Sequence, residues 1–350
     1  MARLRRADCS GPGITRKRAG RGFAYYDDTG ARVDDPEVIE RIRALGIPPA
    51  WKNVWICPHP NGHLQATGID AAGRKQYRYH EAWRTRRDAE KFDEMIRFAR
   101  ALPAVRDRVE AELTSGDQLT RERVLACAIR LLDRGFFRIG TEEYTQLNES
   151  YGLATIRKEH VKIDGESMLF DYPAKSGQRR VQAVVDPLVK DIVCRLKRRR
   201  GGGPDLLAYK VGRTWCDLKS DDINAYLKEV TGDDFSAKDF RTWSATVLAA
   251  VALAVSGPAQ GTKTSRQRAK TRAIKETARY LGNTPAVCRA SYIDPRIFDA
   301  YDAGLVLDQR VLLEAAEPGR LPTQHPEIEN AVLDLLNEKE ESPRIEKLAA

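Results

Sequence analysis

The sequence predicts an α+β protein: a small antiparallel β-sheet domain, then a larger, mostly helical domain carrying a β-hairpin. Three observations predict it. A chain of 350 residues is long enough for two separate cores. Residues 22–80 are rich in β-branched and aromatic side chains broken by turn signals. From Glu81 onward helical periodicity takes over, with one β interlude at residues 160–184. The expected boundaries are 1–21 for a basic flexible arm, 22–90 for the β-rich domain and 91–350 for the helical domain with its tail.

The elements follow in order. Residues 1–20 show little apolar periodicity and read as disordered. Seven of the first 21 residues are basic and no apolar signal core is present; the composition also fits a transit peptide, but a flexible arm is the simpler reading. Strand patterns cover residues 23–26, 51–57, 63–70 and 73–80, with a short helix near Pro36–Ala44. Asn61-Gly62 is a hairpin turn signal. Residues 83–92 are charged and helical, a bridge between the domains. In residues 120–135, Val124, Ala128, Leu131 and Leu132 share one face, with Thr120 as N-cap and Gly135 as C-cap. The β interlude places Lys175 in a turn between two strands. Ser236 and Asp239 form a capping-box variant that starts a helix with Arg241 in its second turn. Residues 256–270 read as a mobile basic loop. A helix then runs to Tyr280 and stops at Gly282-Asn283. Thr284 caps the next, with Pro285 at its first position and Tyr292 two turns along. A last helix is expected over residues 327–338.

The chain carries 59 Lys and Arg against 50 Asp and Glu, a net charge of +9. A surface of that sign favours a polyanion such as nucleic acid. The longest apolar run, residues 245–255, is too short to span a bilayer, which needs about 18 residues, and reads as a buried helix. The six cysteines are scattered without a Cys-x-x-Cys pair, as suits free thiols. Cys57, His59 and His63 have a spacing that metal sites use, but a fourth ligand is missing. The segment Gly257 to Thr264 only superficially resembles a phosphate loop, because its glycine spacing is short and helix rather than strand precedes it. The basic run at Lys197 suits a helix terminus and equally a DNA backbone contact.

Tyr292 is the most informative residue. A phenol beside the fixed cations Arg138, Lys175 and Arg241 is suited to attack on a phosphodiester. Taken singly, these residues read as surface arginines, a turn lysine and a half-buried tyrosine. No histidine lies near Arg241 or Tyr292 in sequence, and no Ser/His/Asp arrangement is apparent.

Over residues 22 to about 305 the chain resembles the bacterial and poxvirus-like type IB DNA topoisomerases. The N-terminal stretches beginning Pro49-Ala50-Trp51-Lys52 and ending Gln76-Tyr77-Arg78-Tyr79-His80 are very like that family's small DNA-clamping domain. Four later segments match in order: Phe137-Arg138-Ile139-Gly140, Ala174-Lys175-Ser176-Gly177, Lys238-Asp239-Phe240-Arg241-Thr242-Trp243, and Asn283-Thr284-Pro285 through Ser291-Tyr292. The resemblance implies that the two domains clamp duplex DNA. It also implies that Tyr292 is the nucleophile of a 3′-phosphotyrosyl intermediate. Arg138 and Arg241 would hold the non-bridging oxygens, and Lys175 would protonate the leaving 5′-oxygen. Gln76, Tyr77 and Tyr79 would approach the DNA groove, although alternate residues of that strand read equally as core. No cofactor, metal or ATP is expected, nor any membrane. The expected species is a monomer working in the cytoplasm at the bacterial nucleoid. Asn283 departs from the family pattern, where many members carry histidine. A tyrosine recombinase would share the chemistry but typically has histidine at the position of Lys238, and usually a helical N-terminal domain. A non-catalytic DNA-binding protein is the third reading, opposed by the filled catalytic positions.

Overall fold

The computed structural model describes residues 3–257, 262–315 and 321–348. They form two compact units, residues 1–93 and 94–350. The first is built on a five-stranded antiparallel sheet of β1 (Ile14–Ala19), β2 (Gly22–Tyr26), β3 (Lys52–Ile56), β4 (Leu64–Ile69) and β5 (Lys75–Tyr79), in the order β2-β1-β3-β4-β5. Helix α1 (Pro36–Ala44) starts at Asp35, whose carboxylate accepts from the Glu37 amide at 2.9 Å. Ile14, Ile42, Val54, Ile56 and Ala66 form the core, with Trp51 packed against it.

One expectation for this unit is corrected here. The segment expected as part of a flexible arm is ordered, because β1 pairs with both β2 and β3. Ile14 supplies the apolar anchor, and Arg16 donates to the carbonyls of Ile47, Pro48 and Trp51 at 2.7 to 3.3 Å while lying over the Phe23 ring. A basic side chain that spends its donors across the fold does not keep a strand from forming. The hairpin turn expected at Asn61-Gly62 is present, within a longer connection. β3 and β4 are joined by residues 57–63, and the buried Gln65 amide donates to the carbonyls of His59, Pro60 and Gly62 at 2.7 to 3.2 Å. Glycine is required at position 62 for close approach, since a Cβ there would lie 2.5 Å from Cys57 Sγ.

Helix α2 (Glu81–Thr114) begins in the first unit and continues into the second. There follow α3 (Arg121–Gly135), α4 (Glu142–Asn148), and a three-stranded sheet of β6 (Val161–Asp164), β7 (Ser167–Pro173) and β8 (Arg179–Val185). Next come α5 (Pro187–Arg198), the hairpin β9 (Ala208–Val211) and β10 (Thr214–Asp217), α6 (Ser220–Thr231), α7 (Ala237–Val255), α8 (Lys263–Leu281) and α9 (Pro285–Ser291). The chain ends with α10 (Arg296–Asp302), β11 (Leu305–Leu307), α11 (Gln309–Glu314), α12 (Pro326–Leu336) and β12 (Ile345–Lys347), which pairs with β11. The expected mobile loop over 256–270 is corrected from Thr262 on. Its hydroxyl accepts from the Ser265 amide at 3.2 Å and caps α8, whose Ala269, Ala273, Ala278 and Leu281 are buried. Residues 258–261 of that expectation lie outside the described residues. The β9–β10 and β11–β12 pairs gave no clear pattern because each strand has only three or four residues. No described helix is long and apolar enough to cross a membrane.

α3 and α7 run through the interior of the second unit. α7 is fixed by a buried ion network. Arg106 of α2 donates to Asp133 of α3 at 2.9 and 3.0 Å and to Glu329 of α12 at 2.5 and 3.1 Å. The Trp243 indole of α7 donates to the same Glu329 at 2.7 Å. Burial raises the Glu329 pKa, and the Arg106 guanidinium works against that rise. Removing the shared cation leaves two carboxylates buried without their partner. Arg106→Ala is expected to cost about 3–5 kcal/mol in urea unfolding. Arg86→Ala, which breaks an exposed pair with Glu90, is expected to cost under about 1 kcal/mol.

Candidate active site

The site is assembled on the C-terminal end of α8. A helix ends in carbonyls without intrahelical partners, at the negative pole of its dipole. Three guanidinium groups from three other elements take these carbonyls in succession. Arg180 of β8 donates to the Arg279 carbonyl at 3.3 Å and to that of Tyr280. Arg241 of α7 donates to the Leu281 carbonyl at 2.9 Å. Arg138, just after α3, donates to the Gly282 carbonyl at 2.7 Å and to Oδ1 of Asn283. Gly282 closes α8 in the left-handed conformation, with φ of 61°. A Cβ there would lie 2.8 Å from an Arg180 nitrogen.

Arg138 is aimed by the end of α3. The sequence suggests Gly135 as the cap, but Phe136 takes the left-handed position, with φ of 53°. Gly135 is needed for space instead: a Cβ there would lie 2.2 Å from the Phe137 ring. That ring is buried edge-on against Phe170, with centroids 4.9 Å apart. The turn sends Phe137 into the core and Arg138 towards α8, and it presents the Phe136 carbonyl to a second nitrogen of Arg241.

Arg241 is 3% exposed. Its start is set by Asp239, which accepts from the Ser236 amide at 2.8 Å. With the two terminal nitrogens on the carbonyls of Phe136 and Leu281, Nε is buried and has no partner among the described residues. The guanidinium carbon lies 5.3 Å from the centre of the Tyr292 ring. Burial lowers the Arg241 pKa and the neighbouring Arg138 charge lowers it further, while Tyr292 opposes both. Asn283 is oriented by giving its oxygen to Arg138, which leaves Nδ2 buried and unpartnered among the described residues. Two donors that are out of water and unspent thus stand in one cationic site.

Tyr292 is the C-cap of α9, half-buried. Thr284 starts that helix, its hydroxyl accepting from the Val287 amide at 3.3 Å. Thr246 of α7 donates to the Tyr292 carbonyl at 3.3 Å and accepts from the Asp294 amide at 3.2 Å. One helix therefore fixes both Arg241 and the backbone of Tyr292.

Arg138 is thus bonded to Asn283, Arg241 lies over Tyr292, and the two arginines take adjacent carbonyls of the α8 end. Lys175 is not linked to them: it is exposed at the head of a single 3₁₀ turn (Lys175–Gly177) between β7 and β8. Lys238 is exposed in the first turn of α7. In the first unit, β5 alternates. Tyr77 and Tyr79 are 45% and 42% exposed, so the core reading of them is corrected. Their rings stack with centroids 6.0 Å apart. Gln76 falls on the opposite face and donates to Asp70 at 2.8 Å. Among the described residues no cluster of three or more His, Cys, Asp or Glu side chains is placed to hold a metal ion.

Residues 80–302 match the family model for the catalytic core of eukaryotic DNA topoisomerase I. Residues 22–70 match that for the N-terminal domain of bacterial DNA topoisomerase IB. The chain belongs to the type IB DNA topoisomerase family. It is 33% identical over 293 residues to DNA topoisomerase 1B of Acanthamoeba polyphaga mimivirus, covering 80% of this chain and 85% of the relative. It is 28% identical over 130 residues to DNA topoisomerase 1 of Daucus carota, covering 37% of this chain and 15% of that one. As a type IB topoisomerase the protein is a DNA-acting isomerase.

Two residues of this cationic cluster escaped the sequence reading. Arg180 is one. The other is Tyr172 of β7, a buried phenol whose pKa is pushed up to about 12 by burial, against the charges of Arg180, Arg138 and Arg241. The available signal was strand alternation: in β8 residues 180, 182 and 184 turn inward, so the second arginine of Arg179-Arg180 had to face the fold.

Two outcomes follow. Gly282→Ala is expected to destabilise the protein by at least about 1 kcal/mol, from left-handed strain plus displacement of Arg180, read as a fall in urea midpoint. Because Tyr172 titrates higher folded than unfolded, its contribution is complete below pH 10 and is lost towards about 12. Alkaline loss of stability over that range is expected to be smaller in Tyr172→Phe than in the wild type.

Proposed function

We propose that this enzyme relaxes supercoiled DNA by transient single-strand cleavage through a covalent Tyr292 intermediate, without ATP or metal. The observation that carries the reading is the buried Arg241 guanidinium, 5.3 Å from the Tyr292 ring centre, beside Arg138 and with its terminal nitrogens on the main-chain carbonyls of Phe136 and Leu281. In-line displacement at phosphorus needs a placed nucleophile and donors on the equatorial oxygens, and guanidinium forks suit that purpose.

In the proposed reaction the Tyr292 oxygen forms a bond to phosphorus as the bond to the 5′-oxygen breaks. The phenol proton leaves to solvent, and the Lys175 ammonium supplies a proton to the departing 5′-oxygen. Arg241 through Nε, Arg138, and Asn283 through Nδ2 donate to the non-bridging oxygens. The free strand end rotates, and attack by the 5′-hydroxyl on the phosphotyrosine reverses each bond change. The bond energy is conserved, so no ATP is consumed. Lys238, Gln76, Tyr77 and Tyr79 are proposed DNA contacts, Tyr77 and Tyr79 offering an exposed stacked pair to sugar or base. The two units are proposed to close on duplex DNA as a clamp. The protein is proposed to act as a monomer, in the cytoplasm and at the nucleoid.

The test is relaxation of supercoiled plasmid in EDTA without ATP, beside Tyr292→Phe. Relaxation by the wild type and none by the variant is expected; a wild type that leaves the plasmid supercoiled, or a variant that relaxes it, refutes the proposal. Among the phosphate donors, Arg241→Ala is expected to lower the single-turnover cleavage rate by at least about a hundredfold. Asn283→Ala is expected to cost less, because its amide carries no charge. Equal losses would contradict that ranking.

A further inference from the structure

Arg180 is assigned no step in the proposed reaction, yet it joins two parts of the site. It lies on β8, five residues after Lys175, and it supplies hydrogen bonds from this hairpin to α8, through the carbonyls of Arg279 and Tyr280. Its Nε is held by Gln182 Oε1 at 2.8 Å, so all three nitrogens are committed. The turn bearing Lys175 is itself closed, with the Ala174 amide on the Gln178 carbonyl at 2.8 Å and Tyr172 opposite Arg180 in the β7–β8 register. Internal rigidity of this kind fixes Lys175 relative to its own strands. It does not fix the hairpin relative to Arg138 and Arg241, which are seated on the next two carbonyls of the α8 terminus.

We infer that Arg180 is a positioning residue for leaving-group protonation: it clasps the hairpin that carries Lys175 onto the helix end that seats Arg138 and Arg241. The inference rests on the proposed role of Lys175. Arg180 is half-buried, with both terminal nitrogens on main-chain carbonyls and Nε on Gln182, so it is assigned to act through Lys175 and not on phosphate. Burial depresses its pKa; Tyr172 opposes that fall and the Arg138 charge adds to it.

Leaving-group chemistry separates this role from general support of the fold. A duplex whose scissile 5′-bridging oxygen is replaced by sulfur releases a thiolate, which needs no proton to depart. On ordinary DNA, Arg180→Gln is expected to slow single-turnover cleavage by about tenfold to a hundredfold, as misplacement of a catalytic group by an ångström does. On the sulfur substrate the deficit is expected to shrink to about threefold or less, as for Lys175→Ala, where proton donation is no longer required. Arg241→Ala stays slow on both. Gln182→Met keeps the charge and removes only the acceptor for Nε; it is expected to show the same pattern at smaller size, and it carries the test should Arg180→Gln fold poorly by circular dichroism. An equal deficit on both substrates, or none on either, overturns the inference while leaving Lys175 in its role. Failure of the sulfur substrate to rescue Lys175→Ala overturns the role of Lys175 and the inference together. A wild type that cleaves neither substrate refutes the activity itself.

Discussion

Three guanidinium groups share one helix end, and everything else in the site follows from how they are kept there. Like charges gathered out of water repel, and a carboxylate among them would relieve that repulsion. It would also compete with any phosphate. The fold uses carbonyl dipoles instead. Arg279, Tyr280, Leu281 and Gly282 offer successive acceptors at the negative pole of α8. A cation at a partly buried helix C-terminus gains up to about 2 kcal/mol. The dipoles hold the cations without neutralising them, so their charge remains available to an incoming anion.

That arrangement requires rigid elements to deliver each arginine. α7 delivers Arg241 and, through Thr246, the backbone of Tyr292. It is in turn fixed at Trp243, whose indole joins the Arg106, Asp133 and Glu329 network. α3 delivers Arg138 only because Phe136 takes a left-handed turn that few residues other than glycine adopt. The stacking of Phe137 in the core over-determines that turn. Stability and placement of the site are therefore one problem: the side chains that fill the core beside each arginine also aim it.

Much of this was legible in the sequence, for identifiable reasons. Thr120, Thr284 and the Ser236–Asp239 pair are local cap signals, and the helices they start were placed correctly. The strands of the N-terminal sheet from Gly22 onward carried enough β-branched and aromatic residues to be seen. β1 was not, because its basic side chains hid an apolar residue, Ile14, that only tertiary pairing makes decisive. α8 was half-missed because its polar, basic exposed face outweighed a narrow stripe of buried alanines. The motif arginines and Tyr292, which the structure brings near one another, were named from the family resemblance that their motifs carry in order. Arg180 could not be named, because its partners are main-chain carbonyls about a hundred positions away, and no side-chain pattern marks a carbonyl acceptor.

The carbonyl cradle has a consequence for how such a site tolerates change. Its acceptors belong to the peptide backbone, so they persist whatever side chains occupy positions 279 to 281. Arg279 and Tyr280 are exposed there, and their identities are free to drift without removing a single acceptor. The vulnerability is concentrated in conformation instead, at Gly282, where an added Cβ meets both a strained left-handed backbone angle and a guanidinium. A scan that replaces side chains one at a time would find the arginines and miss what seats them.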